Sequence, residues 1–180
     1  MTNKGMIKKL KDNAELAWAA YGYYDLMTND TSQAFIVLKD KEGKDRIDSS
    51  GNSIVKQITF ADIMDNTYKN YEAYHLNPKI KKKEKIGKLK GDFTPTQAKN
   101  FFDKYDLLDF YPKFDAKNNK QLKGFHAALF QDKQSKEYTL AIRGSFDLDD
   151  YMTDFISLLK DSKIPFDYLH TMCKLKDKII

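Results

Sequence analysis

The residues of this chain that could do chemistry gather in TLAIRGSFDLDDYMTDF, residues 139 to 155. There an apolar run passes through Arg143-Gly144-Ser145 into Asp147, Asp149, Asp150 and Asp154. A serine can act as a nucleophile when a histidine base reaches it, and the histidines that could serve are His126 and His170. No spacing brings either one to Ser145, so that pairing is not expected. Cys173 stands three residues from His170 on an expected short helix, where a half-buried inert cysteine is a better account than a thiol nucleophile. Clustered carboxylates suit a hard cation such as Ca²⁺. The aspartates here lack the EF-hand spacing and its central glycine, so they are expected to cap the following helix, and no metal or cofactor is expected. His126 lies between Phe125 and Ala127 in a strand-like run and is expected to be a packed structural residue, with His75 and His170 at the surface.

The elements that must position these residues come from a chain of 180 residues, enough for one domain with a sizeable core. Hydrophobic residues make up 41% and charged residues 32%, which indicates a folded protein. The net charge of +5 is concentrated in PKIKKKEKIGKLKG, residues 78 to 91, where Lys79, Lys81, Lys82, Lys83, Lys85, Lys88 and Lys90 outweigh Glu84. Arg46 and Arg143 are the only arginines, so the chain lacks the basic footprint of a nucleic-acid binder. The lysine run is expected to be a solvated loop, with contact to anionic lipid head groups as its functional alternative. A single cysteine excludes an intrachain disulfide and a cysteine-based metal cluster. MTNKGMIKKLKDNAELAW has no apolar core behind its basic residues, and no stretch approaches the length of a membrane span. Cytoplasmic synthesis without a signal peptide is expected, with signal-independent secretion left open.

Leu10, Ala14, Ala17, Tyr21 and Tyr24 recur at helical spacing and predict an amphipathic helix over residues 8 to 27, ended by Asn29 and Asp30. FIVLKD and EGKDRIDSSGNSIVKQI predict a small β excursion, with turns at Glu42-Gly43 and Ser50-Gly51-Asn52. Thr59 with Asp62, then Phe60, Ile63, Met64 and Tyr68, predict a second helix over 59 to 73. Thr94-Pro95-Thr96-Gln97 is a stronger helix start, and Phe101, Phe102, Tyr105 and Leu108 predict that its apolar face continues toward Tyr111-Pro112. GFHAALFQ and EYTLAIRG, separated by DKQSK, predict an antiparallel hairpin. DDYMTDFISLLK predicts a helix, DYLHTMCKL a short one, and Lys178-Ile179-Ile180 the start of a strand. No internal repeat stands out.

The stretch GFHAALFQDKQSKEYTLAIRGSFDLDDYMTDF resembles the start of the catalytic domain of class 3 lipases, which are α/β-hydrolases. The likeness rests on Gly-Phe-x-Ala at 124 to 127, the hairpin, Ala-Ile-Arg-Gly-Ser at 141 to 145, and Asp150-Tyr151 with Asp154-Phe155. It implies that the backbone N–H and hydroxyl of Ser145 form half of an oxyanion hole, where donors stabilise the charge of a tetrahedral intermediate. It implies further that Asp154 fixes the Ser145 hydroxyl and that Gly144 keeps the turn clear of a side chain. Arg143 would serve as a structural anchor. Tyr151 stands where many members of the family have Trp, a difference that concerns packing rather than chemistry. The family's nucleophile lies in a Gly-x-Ser-x-Gly elbow, and no such motif occurs in these residues.

The resemblance implies an α/β fold, a partial α/β-hydrolase with N-terminal helices and a small β excursion. Residues 1–123 would be the helical and small-β portion, and 124–180 the first strands and helix of the hydrolase core. The functional expectation is the N-terminal half of a lipase- or phospholipase-like carboxylic ester hydrolase, lacking nucleophile, acid and base and inactive alone. Its partners would be an ester or lipid substrate and a complementing chain or second copy covering the open sheet edge. The alternative is a non-catalytic interaction module on a hydrolase-like scaffold.

Overall fold

The structure, a computed structural model, describes residues 2–27, 34–77, 82–111 and 126–143. Its elements begin with helix α1 (Asn3–Ala19), strands β1 (Phe35–Val37) and β2 (Val55–Gln57), helix α2 (Phe60–Met64), and strands β3 (Glu72–Asn77) and β4 (Lys82–Lys88). Helix α3 (Pro95–Lys104) and strands β5 (Tyr105–Tyr111), β6 (Ala127–Asp132) and β7 (Tyr138–Ile142) follow. One sheet runs β2-β1-β3-β4 and the other β5-β6-β7. Every pairing between these strands is antiparallel. The expected mixture of helix and sheet is therefore present, but among the described residues it takes the α+β form of helices with antiparallel sheets, not α/β order. The helix expected after Asp149, the short helix at 167–175 and the strand start at 178–180 lie outside the described residues.

The chain divides into two compact units, one holding residues 2–21, 101–111 and 126–143, the other 22–27, 34–77 and 82–100. In the first unit β6 is the middle strand. Its residues Ala127, Ala128, Leu129 and Phe130 are buried in succession, the pattern of a strand covered on both faces. Phe101 meets the Phe130 ring edge-on at 5.2 Å and lies 4.9 Å from that of Tyr105. Helix α1 lies against β7 and buries Leu16 and Ala19. Thr2 caps it, its hydroxyl oxygen accepting from the Gly5 N–H at 3.3 Å. This helix starts earlier and stops sooner than the predicted span of 8 to 27, and the predicted stripe points outward: Leu10, Ala14 and Ala17 are all exposed.

The start of α3 is as predicted, with Thr94 and Gln97 bonded reciprocally: the Gln97 N–H reaches the Thr94 hydroxyl at 3.3 Å and the Thr94 N–H reaches Gln97 Oε1 at 3.0 Å. The helix ends at Lys104, however, and Tyr105 opens strand β5. Within that strand a register shift falls between Leu107 and Asp109. Phe101 and Tyr105 are buried on either side of the helix–strand junction, whereas Leu108, at the irregularity, is exposed, so the helical spacing of the three does not mark one face.

In the second unit the β excursion is present, with its turns at Gly43 (φ 80°) and Gly51 (φ 81°). It contains a repeat that the composition hides. Asp40 accepts at its carboxylate from the N–H groups of Glu42 and Lys44, both at 2.9 Å, and Asp48 does the same for Ser50 at 2.8 Å and Asn52 at 2.9 Å. The signal was Asp-x-x-Gly at 40–43 and again at 48–51. Between these loops the main chain closes a ring: Leu38 donates to Ile54 (2.9 Å), Ile54 to Arg46 (2.8 Å) and Arg46 to Leu38 (2.9 Å).

Helix α2 is capped as predicted, with the Thr59 N–H donating to Asp62 Oδ2 at 2.9 Å. It does not run to residue 73. At Asp65 the backbone turns to an extended conformation (φ −74°, ψ 121°), a 3₁₀ turn covers Asn66–Tyr68, and β3 begins at Glu72. The break is held by Phe93, whose N–H donates to Met64 O and whose carbonyl accepts from Asn66 N–H, both at 2.8 Å. Gly91 lets this segment approach so closely. A Cβ there would lie 2.2 Å from the Met64 carbonyl carbon and 2.3 Å from its oxygen. Because backbone cannot give way as a side-chain tip does, Gly91→Ala is expected to cost about 2–3 kcal/mol. The check is urea unfolding, which should show a lower midpoint at unchanged slope.

Candidate functional site

The residues assigned to the site by resemblance, Gly144, Ser145 and Asp154, lie outside the described residues, as do Asp147, Asp149, Asp150, His170 and Cys173. What is described is the hairpin that leads to them. Strands β6 and β7 pair in the register Ala127↔Ile142 through Gln131↔Tyr138, as predicted for GFHAALFQ and EYTLAIRG. Their turn is built on Asp132, whose Oδ1 accepts from the N–H groups of Gln134 at 2.8 Å and Ser135 at 2.9 Å. Those backbone donors, Ser135 first, hold the Asp132 carboxyl below the usual carboxylate range.

At the far end of the hairpin the Arg143 N–H donates to the His126 carbonyl at 2.9 Å, which carries the ladder one step beyond Ala127↔Ile142. Arg143 is 4% exposed. His126 is likewise 4% exposed and sits directly before β6. The burial of His126 suits the packed structural residue expected there. His75 is only half-buried, and its Nε2 lies 3.2 Å from Glu84 across β3 and β4.

The lysine run is not a loop where it is described. Lys82, Lys83, Lys85 and Lys88 lie on β4, paired with β3; Lys90 follows that strand, and Lys79 and Lys81 lie outside the described residues. Ile86 and Leu89 are the buried positions that anchor it. Several of the cations are engaged within their own unit: Lys85 with Glu72, Lys83 over the Tyr74 ring at 5.3 Å, and Lys90 over the Tyr23 ring at 4.5 Å. Sequence reasoning missed this because lysine is a poor strand former, and only pairing with β3 makes the strand.

A cleft of about 390 Å³ opens beside these residues in the second unit, lined by Lys39, Asp45, Lys69, Glu72, Tyr74 and Lys83 among others. Its charged groups answer one another. The hydrogen bond from Lys39 pulls the Asp45 carboxyl down, and the bond from Lys85, then that from Tyr74, does so for Glu72. The Tyr74 hydroxyl donates to Glu72 Oε2 at 2.7 Å, and this bond, with burial second, pushes its pKa up to about 12. Among the described residues no group of three or more His, Cys, Asp or Glu is placed to hold a metal ion, and no helix is long and apolar enough to cross a membrane. No protein-family model, curated protein or solved structure matches the chain.

Two outcomes are expected. Lys136, in the β6–β7 turn, holds φ at 63°, a conformation that costs a side-chain-bearing residue about 1–2 kcal/mol. Lys136→Gly should stabilise the protein by about 0.5–1 kcal/mol in chemical unfolding, the relief exceeding the added freedom of the unfolded glycine. For Tyr74, losing the phenolic proton would set two anions side by side, so Glu72→Gln should bring its titration back down toward the ordinary tyrosine value. An NMR titration of the ring carbon reads this directly. No movement would make burial the cause rather than the bond.

Proposed function

We propose that this chain carries the oxyanion-hole side of a carboxylic ester hydrolase resembling the class 3 lipases, with Ser145 as the donor residue. The observation that supports it is the β6–β7 hairpin, which ends in buried Arg143 immediately before Gly144-Ser145. An antiparallel hairpin leading into Arg-Gly-Ser is the arrangement the resemblance calls for, and here it falls on the matching residues.

In this reading the ester carbonyl oxygen accepts from the Ser145 N–H and hydroxyl, and Asp154 accepts from that hydroxyl to hold its rotamer. Charge develops on the carbonyl oxygen only as the tetrahedral intermediate forms, so these donors lower the barrier more than they strengthen substrate binding. The nucleophile, base and acid are supplied from outside these 180 residues, which contain no Gly-x-Ser-x-Gly. In the finer fold assignment, the hairpin sheet is the leading edge of an α/β-hydrolase sheet.

The test uses p-nitrophenyl butyrate and the product of a reading frame that continues into a Gly-x-Ser-x-Gly elbow. Ser145→Ala should lower kcat by about 10²–10³-fold with KM little changed. The 180-residue chain alone should be silent. Equal kcat in wild type and Ser145→Ala sinks the proposal. Turnover by the isolated chain that Ser145→Ala abolishes would make the serine a nucleophile and sink it as well.

A further inference from the structure

Helix α1 buries its narrow side and exposes its apolar one. Met6, Ile7, Leu10, Ala14, Ala17 and Trp18 are all exposed, Ile7 at 69%, Leu10 at 71% and Trp18 at 48%. At 100° per residue these six positions fall within an arc of about 120° that runs the length of the helix. The opposite side, with Leu16 and Ala19, is the one buried where α1 lies on β7. The stripe is thus a continuous apolar surface, in contrast to the singly scattered apolar residues that any protein surface carries.

Charge decides what fits it. Lys4, Lys8, Lys9 and Lys11 occupy the first turns, the first turn carries no acidic residue, and on the wheel Lys4 and Lys11 border one edge of the stripe while Lys9 lies about 60° beyond the other. The acids further along are engaged: Asp12 with Lys104 at 2.8 Å, and Glu15 with Lys11 at 3.6 Å. Cations at a helix N-terminus oppose the macrodipole, so this end concentrates positive potential, which Glu15 offsets only at Lys11. An apolar arc bordered along one edge by lysines, with a tryptophan toward its far end, matches a bilayer interface, where acyl chains take the stripe and anionic head groups take the ammonium ions. A second copy of the helix would instead bring the lysines of both chains around one seam.

We propose that the outward face of α1 docks on an anionic lipid surface, with the helix lying in the plane of the interface. This rests on α1 alone and not on the hydrolase reading: a chain without ester turnover is still expected to bind.

Trp18 is the only tryptophan in the chain, so its fluorescence reports on this face without a label. Wild-type protein mixed with phosphatidylcholine vesicles containing phosphatidylglycerol should co-sediment and shift its emission to shorter wavelength. Pure phosphatidylcholine vesicles should bind it far less, and added salt should weaken the anionic binding. Leu10→Glu should reduce partitioning by about tenfold or more, and Lys4→Gln or Lys9→Gln by about fivefold each. All three positions are exposed, and circular dichroism is the check that each variant is folded. Should Leu10→Glu unfold, the lysine variants and the wild-type salt series decide. Absence of binding to anionic vesicles overturns the proposal, and so does equal binding to both compositions. An emission shift that follows protein concentration without vesicles, and disappears in Leu10→Glu, overturns it in favour of self-association.

Discussion

The first unit depends on the double coverage of β6. A strand paired on both edges and buried on both faces can carry only apolar side chains, and Ala127, Ala128, Leu129 and Phe130 meet that demand in sequence. Small residues at the first two positions keep that end of the strand slim, while Phe130 at the other fills the space against Phe101. With β6 held this way, β7 has one available register, because sliding by a single residue would turn its whole apolar set to the opposite face. That register delivers Arg143 to its place beside His126.

The same coverage shapes α1. The helix lies on β7, and a narrow buried side of Leu16 and Ala19 suffices there, while the broader apolar arc is exposed. Leu10, Ala14 and Ala17 are periodic without belonging to the core. Periodicity shows that a helix is amphipathic; it does not say whether the apolar side meets protein or something else.

Local signals in the sequence were legible where a few neighbouring residues settle the structure. Thr94-Pro95-Thr96-Gln97 closes its own cap, Gly43 and Gly51 take their own positive φ, and the polar DKQSK between two apolar runs marks the hairpin. Signals failed where a distant partner decides. Helix α2 is cut short by Phe93, nearly thirty residues away, and β4 is a strand because β3 pairs with it, against the preference of its lysines. Helix α3 gives way to β5 at Tyr105 although the apolar spacing carries on to Leu108, because pairing with β6 decides the strand. For the candidate site the sequence shows more than the described residues do: the resemblance names Gly144, Ser145 and Asp154, while the structure supplies the hairpin that leads to them.

The ring of main-chain bonds through Leu38, Arg46 and Ile54 has a kinetic meaning. A ladder of hydrogen bonds frays from its ends, where one bond can open while the rest stay closed. In a ring each residue is at once donor and acceptor, and no bond is terminal. Displacing any one of the three residues breaks two of the three bonds together. The two Asp-x-x-Gly loops hang from this ring, so each can breathe at its tip while its base stays shut. The base of the two loops therefore opens as a unit.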